Sequence, residues 1–290
     1  MAETQYKNIS LPKSGVKVFY REQKAASDAP VILLLHGFPS SSHQYRNLIP
    51  LLAVNYRVIA PDLPGFGFTE ASSSFKFTFA NLATTIGEFI DELSLSRFAI
   101  YIFDYGAPVG LRLALQRPEA ITAIVTQNGN AYVEGFGDVW GPIKELWASN
   151  NASVNRTEVA KAMLTLEATK FQYEDGTPDL KRLAPESYFL DQALLERPGN
   201  KDIQLDLFYD YQNNIPLYDD FHVYFRNSQV PLLAIWGRND KFFIPPGAEA
   251  FKRDLPKAEV QLINAGHFAV ESDTEYIAQE ILKFFHKQNF

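Results

Sequence analysis

The stretch whose reading decides the fold is "YIFDYGAPVG", residues 101–110. Apolar residues run into Asp104, and Gly106 and Gly110 follow. This spells the end of a buried strand, a tight turn with Asp104 at its sharpest point, and the opening of a helix.

The same grammar recurs on either side. "PVILLLHG" (30–37), "YRVIAPD" (56–62), "RFAIYIFD" (97–104) and "AITAIVTQN" (120–128) are near-continuous apolar runs, the pattern of strands covered on both faces. "VKVFYREQ" (16–23) alternates, as an early antiparallel strand does. In "FANLATTIGEFIDEL", Leu82, Ile86, Phe89, Ile90 and Leu93 recur at helical spacing and give one apolar face. Buried strands alternating with amphipathic helices predict an α/β fold, a mostly parallel sheet flanked by helices. The alternation stops between Ala131 and Gln229, where the sequence is helix-like, loop-like and rich in aromatics. It resumes with "VPLLAIWGRND", a helix around "GAEAFKRDL", the strand "AEVQLINAG" and a last helix from about Thr274 to Lys287. The expected organisation is a core formed by residues 1–130 and 230–290, with a helical cap inserted at 131–229.

Bulk properties narrow the function. The chain has 290 residues, 46% of them hydrophobic, and a formal charge of -7. That balance argues against a nucleic-acid surface, which needs a basic face. Cys is absent, which excludes disulfides, thiol catalysis and zinc–thiolate sites. "MAETQYKNIS" has neither the basic leader nor the apolar core of a signal peptide, and no apolar run approaches the roughly 20 residues that span a bilayer. A cytoplasmic protein with no membrane partner is the expectation.

Four pieces fall at the carboxyl ends of predicted strands, where open α/β sheets bind ligands. They are "HGFP" (36–39), Asp104 with Gly106, "WGRND" ending in Asp240, and "NAGHF" with His267. His36 reads as a structural hydrogen-bonder. "DLPGFGFT" (62–69) has the wrong glycine spacing for a phosphate loop and reads as structural too.

In the order turn nucleophile, acid, histidine, the chain resembles α/β-hydrolase-fold enzymes, with aspartate where many of them carry serine. Within them it resembles the epoxide hydrolase and haloalkane dehalogenase branch. The resemblance implies Asp104 as nucleophile, His267 as base and Asp240 as the acid that orients it. It further implies an oxyanion hole made by the backbone N–H groups of Phe38 and Tyr105.

A carboxylate attacking an ester would form a high-energy anhydride. Displacing a leaving group at a saturated carbon instead gives an alkyl-enzyme ester, which water activated by His267 and Asp240 can hydrolyse. An epoxide or an alkyl halide is therefore the expected substrate class. Dehalogenases of this type hold the departing halide with side-chain N–H groups at the two places that Phe38 and Tyr105 occupy here, and neither side chain has one. An epoxide oxygen needs an acid instead, and in the family two cap tyrosines supply it; Tyr211, in "LFYDYQNN", and Tyr173, in "KFQYEDG", are the candidates. Opening of an epoxide to a diol is the leading expectation, and haloalkane or haloacid dehalogenation the alternative. An ester or lactone hydrolase with Asp104 as general base, or a ligand-binding protein on the same scaffold, stand further back. A small apolar organic substrate is expected, with no cofactor, no metal, and a homodimer as an allowed assembly.

Overall fold

The computed structural model describes residues 3–26, 28–288 and 290. Eight strands form one sheet: β1 (Gln5–Ser10), β2 (Lys17–Lys24), β3 (Val31–Leu35), β4 (Arg57–Pro61), β5 (Phe98–Phe103), β6 (Ile121–Gln127), β7 (Leu232–Gly237) and β8 (Glu259–Ile263). Their spatial order is β1-β2-β4-β3-β5-β6-β7-β8. β2 runs against both neighbours and every other pairing is parallel. This is the mostly parallel α/β sheet that the alternation predicts. β5 and β7 are buried at every position, as their unbroken apolar runs require.

β1 was not anticipated. Its "QYKNIS" is exposed or half-buried throughout, because an edge strand beside β2 is held mainly by its backbone ladder, with Ile9 reaching the core and Lys7 pairing with Glu22.

Adjacent residues of each central strand point to opposite faces, and the apolar interior divides accordingly. Leu33, Leu35, Ile100 and Ile102 feed one cluster, and Ile32, Leu34, Tyr101 and Phe103 feed the other. The helix Phe79–Glu92 closes the first. Thr78 caps it by accepting from the Asn81 N–H at 3.2 Å, and the Asp210 carboxylate takes the Phe79 N–H at 2.7 Å. Phe79, Leu82, Ile86, Phe89 and Ile90 are fully buried there, each worth about 1.5–3 kcal/mol relative to exposure. A charge at Ile86 would put an unpaired ion into that face.

Between β6 and β7 the chain makes no named strand. It runs through helices at Gly141–Ala148, Ser153–Met163, Leu166–Glu174, Pro185–Leu195, Asn200–Asp210 and Tyr218–Ser228, joined by shorter 3-10 segments. Most of its apolar residues, among them Trp140, Phe208, Tyr211 and Tyr218, join the first cluster, whereas Tyr173 and Leu183 join the second. Among the described residues no helix is long and apolar enough to cross a membrane.

Candidate active site

Asp104 sits between β5 and the helix Gly106–Gln116 with φ at +46°, a left-handed backbone that costs a non-glycine residue energy and is held only where the surroundings enforce it. Two glycines make that possible. A Cβ on Gly106 would collide with the Leu35 carbonyl, and one on Gly37 with the Asp104 carboxylate itself. The elbow therefore presses against the end of β3, and the Phe38 N–H donates to Asp104 Oδ1 at 2.6 Å. The Tyr105 N–H lies on the same carboxylate.

His267 Nδ1 lies 2.7 Å from Asp240 Oδ2. A carboxylate only accepts, so Nδ1 carries the proton and Nε2 keeps its lone pair when the ring is neutral. Asp240 Oδ1 accepts from the Phe242 N–H at 2.7 Å. Asp104, Asp240 and His267 are 5%, 3% and 2% exposed, so the three groups share a site almost sealed from water. Burial, which disfavours charge, pushes the Asp104 carboxyl up to about 6, against the pull of His267 and of the two backbone N–H groups; Asp240 adds to the push. Burial alone would lower the His267 imidazole, but Asp240, its hydrogen bond and Asp104 outweigh it and hold the ring above its ordinary value.

A residue that the sequence reading passed over supports this pair. Asn128, directly after β6 with φ at +48°, donates from Nδ2 to Asp240 Oδ2 at 2.7 Å, the same oxygen that binds His267. Its Oδ1 accepts from the Gly237 N–H at 2.9 Å and from Gln127 Nε2 at 2.6 Å, and Gln127 Nε2 also donates to the His267 carbonyl at 2.9 Å. The signal was its place: a polar residue tolerant of a left-handed turn, one step past a buried strand, as Asp104 is after β5.

His36 is as the sequence suggests. Its Nε2 accepts the Leu63 N–H at 2.9 Å, which leaves Nδ1 to donate to the Gly37 carbonyl at 3.0 Å. Asp62 of "DLPGFGFT" ties two loops together through the Ser42 and Phe68 N–H groups, each at 2.8 Å.

Above the carboxylate the walls are aromatic. Phe38, Tyr105, Phe208 and Tyr211 meet at ring separations of 4.8–6.1 Å. The Tyr211 hydroxyl is buried with no hydrogen-bond partner, and so is that of Tyr218. Burial, with Tyr218 and Asp104 close enough to add to it, holds the Tyr211 phenol well above the ordinary range. All three indole N–H groups are committed to carbonyls: Trp140 to Phe242 at 3.0 Å, Trp147 to Phe208 at 2.8 Å and Trp236 to Phe243 at 2.6 Å.

The structure does not place Tyr173 with Tyr211. Its hydroxyl donates to Asp191 Oδ2 at 2.5 Å and its ring stacks on Phe268 at 3.9 Å, inside the second apolar cluster. A phenol already engaged by a buried carboxyl is not free to protonate a leaving group, so the sequence-based role for Tyr173 is corrected here.

A family model for the alpha/beta hydrolase fold matches residues 30–274. The chain belongs to this family. An uncharacterized hydrolase of Saccharomyces cerevisiae is 51% identical over 275 residues, covering 94% of each chain. A haloalkane dehalogenase of Psychrobacter cryohalolentis is 26% identical over 290 residues, covering 94% of this chain and 88% of its own. Among solved structures, an epoxide hydrolase superposes with a TM-score of 0.78 at 20% identity, over 98% of this chain and 99% of that one, a likeness of fold. As a member of this family the chain is a hydrolase.

Proposed function

We propose that this hydrolase opens a small, neutral, apolar epoxide to a diol through an ester on Asp104, with the helical segment between β6 and β7 acting as a cap. The observation that carries the reading is a buried, unpartnered Tyr211 hydroxyl close enough to a carboxylate at a strand–helix elbow to feel its charge.

In the first half-reaction, the Asp104 oxygen not held by Phe38 attacks an epoxide carbon. The C–O bond of the ring breaks, its electron pair goes to the oxygen, and Tyr211 supplies a proton to that oxygen. The phenol holds its proton until then because burial favours the neutral form. In the second half-reaction, His267 Nε2 takes a proton from water and the hydroxide adds to the Asp104 carbonyl carbon. Charge collects on Oδ1, which the Phe38 N–H already holds, with the Tyr105 N–H on the same carboxyl group. Collapse releases the diol oxygen, which takes the proton from His267, and the carboxyl proton returns through solvent to Tyr211. The balance is one epoxide and one water to one diol, with the water oxygen left in Asp104.

Two measurements test this. Single turnover in ¹⁸O water should label Asp104 and leave the diol unlabelled; label in the diol would require direct water attack. The His267→Gln variant, able to be alkylated but not to activate water, should gain the whole mass of the epoxide. Haloalkane dehalogenation is disfavoured by the donor inventory, since the side chains at 38 and 105 lack N–H groups and the three indoles are spoken for. A mass gain of the alkyl group alone with an alkyl halide, and none with epoxides, would reverse that preference.

A further inference from the structure

Tyr173 ties the segment between β6 and β7 to both halves of the site. It lies on the helix Leu166–Glu174, and Asp191, its hydrogen-bond partner, on Pro185–Leu195. The ring lies flat on Phe268, 9° from parallel. Phe268 follows the base in sequence, and together with Phe103 it walls the His267 ring at centroid separations of 5.4 and 4.7 Å. The Tyr173 hydroxyl also stands 3.5 Å from Ser40 Oγ, and the Ser40 N–H closes the "HGFP" turn on the Gly37 carbonyl. Four residues beyond His267, Glu271 is gripped by Arg46 through two bonds of 2.7 and 2.9 Å. That grip leaves Asp191 no cation of its own. Its Oδ1 has no partner and the side chain is fully buried, which is the setting of a carboxylic acid kept neutral by desolvation.

We propose that Tyr173, fixed by Asp191, is a positioning residue for the water-activating step: it backs Phe268 and so holds His267 at the distance from Asp104 that ester hydrolysis requires. A buried polar contact costs desolvation, and its return is a single arrangement of the groups around it. The other flank of the base is already fixed by Gln127 on its carbonyl and Asp240 on Nδ1. Without Tyr173 the remaining flank rests on apolar contact alone.

The proposal rests on the epoxide reading for its kinetic arm and is independent of it for a spectroscopic one. In single turnovers followed by intact mass, Tyr173→Leu should slow hydrolysis of the alkyl-enzyme about tenfold, so that the adduct accumulates, while alkylation stays within about twofold. Tyr173→Phe, which keeps the stack and loses the hydroxyl, should slow hydrolysis about threefold. Asp191→Asn, close in shape to the neutral acid and still an acceptor, should behave as wild type. In the substrate-free protein, the downfield Nδ1–H resonance of the His267–Asp240 pair should broaden in Tyr173→Leu and stay sharp in Asp191→Asn.

Equal slowing of both half-reactions, or an unchanged resonance with unchanged hydrolysis, would overturn the proposal. So would slowed alkylation alone in Tyr173→Phe, which would return the phenol to the leaving group. If Tyr173→Leu does not fold, Tyr173→Phe decides the matter alone. If wild type forms no adduct with any epoxide, the functional reading fails, and the resonance still settles the role of Tyr173.

Discussion

The amide and carboxylate groups that support His267 and the phenols nearest Asp104 are handled in opposite ways. At the ends of β5, β6 and β7, both oxygens of Asp240 and the amides of Asn128 and Gln127 have partners at 2.6–2.9 Å, and the Phe38 N–H is already on Asp104. In the helical segment the Tyr211 and Tyr218 hydroxyls are buried and unpartnered, at a cost of about 1–3 kcal/mol each in an interior. A group that must keep one position is over-tied; a group that is to meet something absent from the resting protein is left untied. On the proposed function the division gives each its part: positions come from the sheet ends, and a donor for the leaving oxygen from Tyr211.

That division can be broken at its firmest point. Asp104→Ala should reduce turnover by roughly 10⁴-fold or more while far-UV circular dichroism stays native, since loss of a nucleophile removes the covalent route outright. Surviving turnover would remove Asp104 from the chemistry. The companion Asp104→Asn should be more stable than wild type, because a carboxyl held at about 6 rather than 3.8 carries a penalty on the order of 3 kcal/mol once ionised. The sign follows from the raised folded-state value: the penalty is absent below pH 3.8, grows as pH rises and is complete above about 6. Urea melts at pH 8 and pH 4 should therefore show a gain at the first and none at the second.

On the untied side, Tyr211→Phe should slow alkylation by about 10²-fold, the lower range for a general acid, and leave hydrolysis of a preformed ester unchanged. A variant with full alkylation would mean that the free hydroxyl serves no leaving group. A smaller effect is expected at Asn128→Ala, which strips one bond from the oxygen shared with His267; hydrolysis should fall about tenfold and alkylation hold. A uniform loss of both steps would place Asn128 in general packing instead.

The subtlest test is in pH. Alkylation requires ionised Asp104 and should fail as pH drops through about 6. His267 is the leading influence that lowers that value, so in His267→Gln the midpoint should move upward. Ester hydrolysis requires neutral His267 and should rise with pH through a midpoint below that of the ring in the free enzyme, because esterified Asp104 no longer adds its charge. A downward move in the variant would mean that the two groups do not sense one another.

The sheet was readable because β3, β5, β6 and β7 must be apolar on two faces, a demand that leaves unbroken runs in one dimension. Asp104, Asp240 and His267 were readable because Asp104 directly follows β5, and Asp240 and His267 stand three and four residues past β7 and β8, within the strand-end positions where an open sheet gathers its ligand groups. β1 was not, since an edge strand held mainly by its backbone ladder needs few apolar side chains, here Ile9 alone. Tyr173 and Tyr211 could not be told apart, because both are tyrosines among aromatics on helix-like stretches. What separates them is which apolar cluster their helix joins, and tertiary contact decides that. Asn128 resembles any turn asparagine until Asp240 is brought across from 112 residues away.

The near-total enclosure of Asp104 has a consequence for which epoxides are consumed. A substrate that reaches Asp104 must lodge among the rings of Phe38, Tyr105, Phe208 and Tyr211, which would act on it as a droplet of aromatic solvent that it joins by partitioning out of water. Each methylene added to a homologous series of terminal epoxides transfers with about 0.8 kcal/mol. kcat/KM should climb about fourfold per carbon until the droplet is full, then stop abruptly. The chain length at that break would measure the space open to substrate from the inside, with the substrate as the ruler.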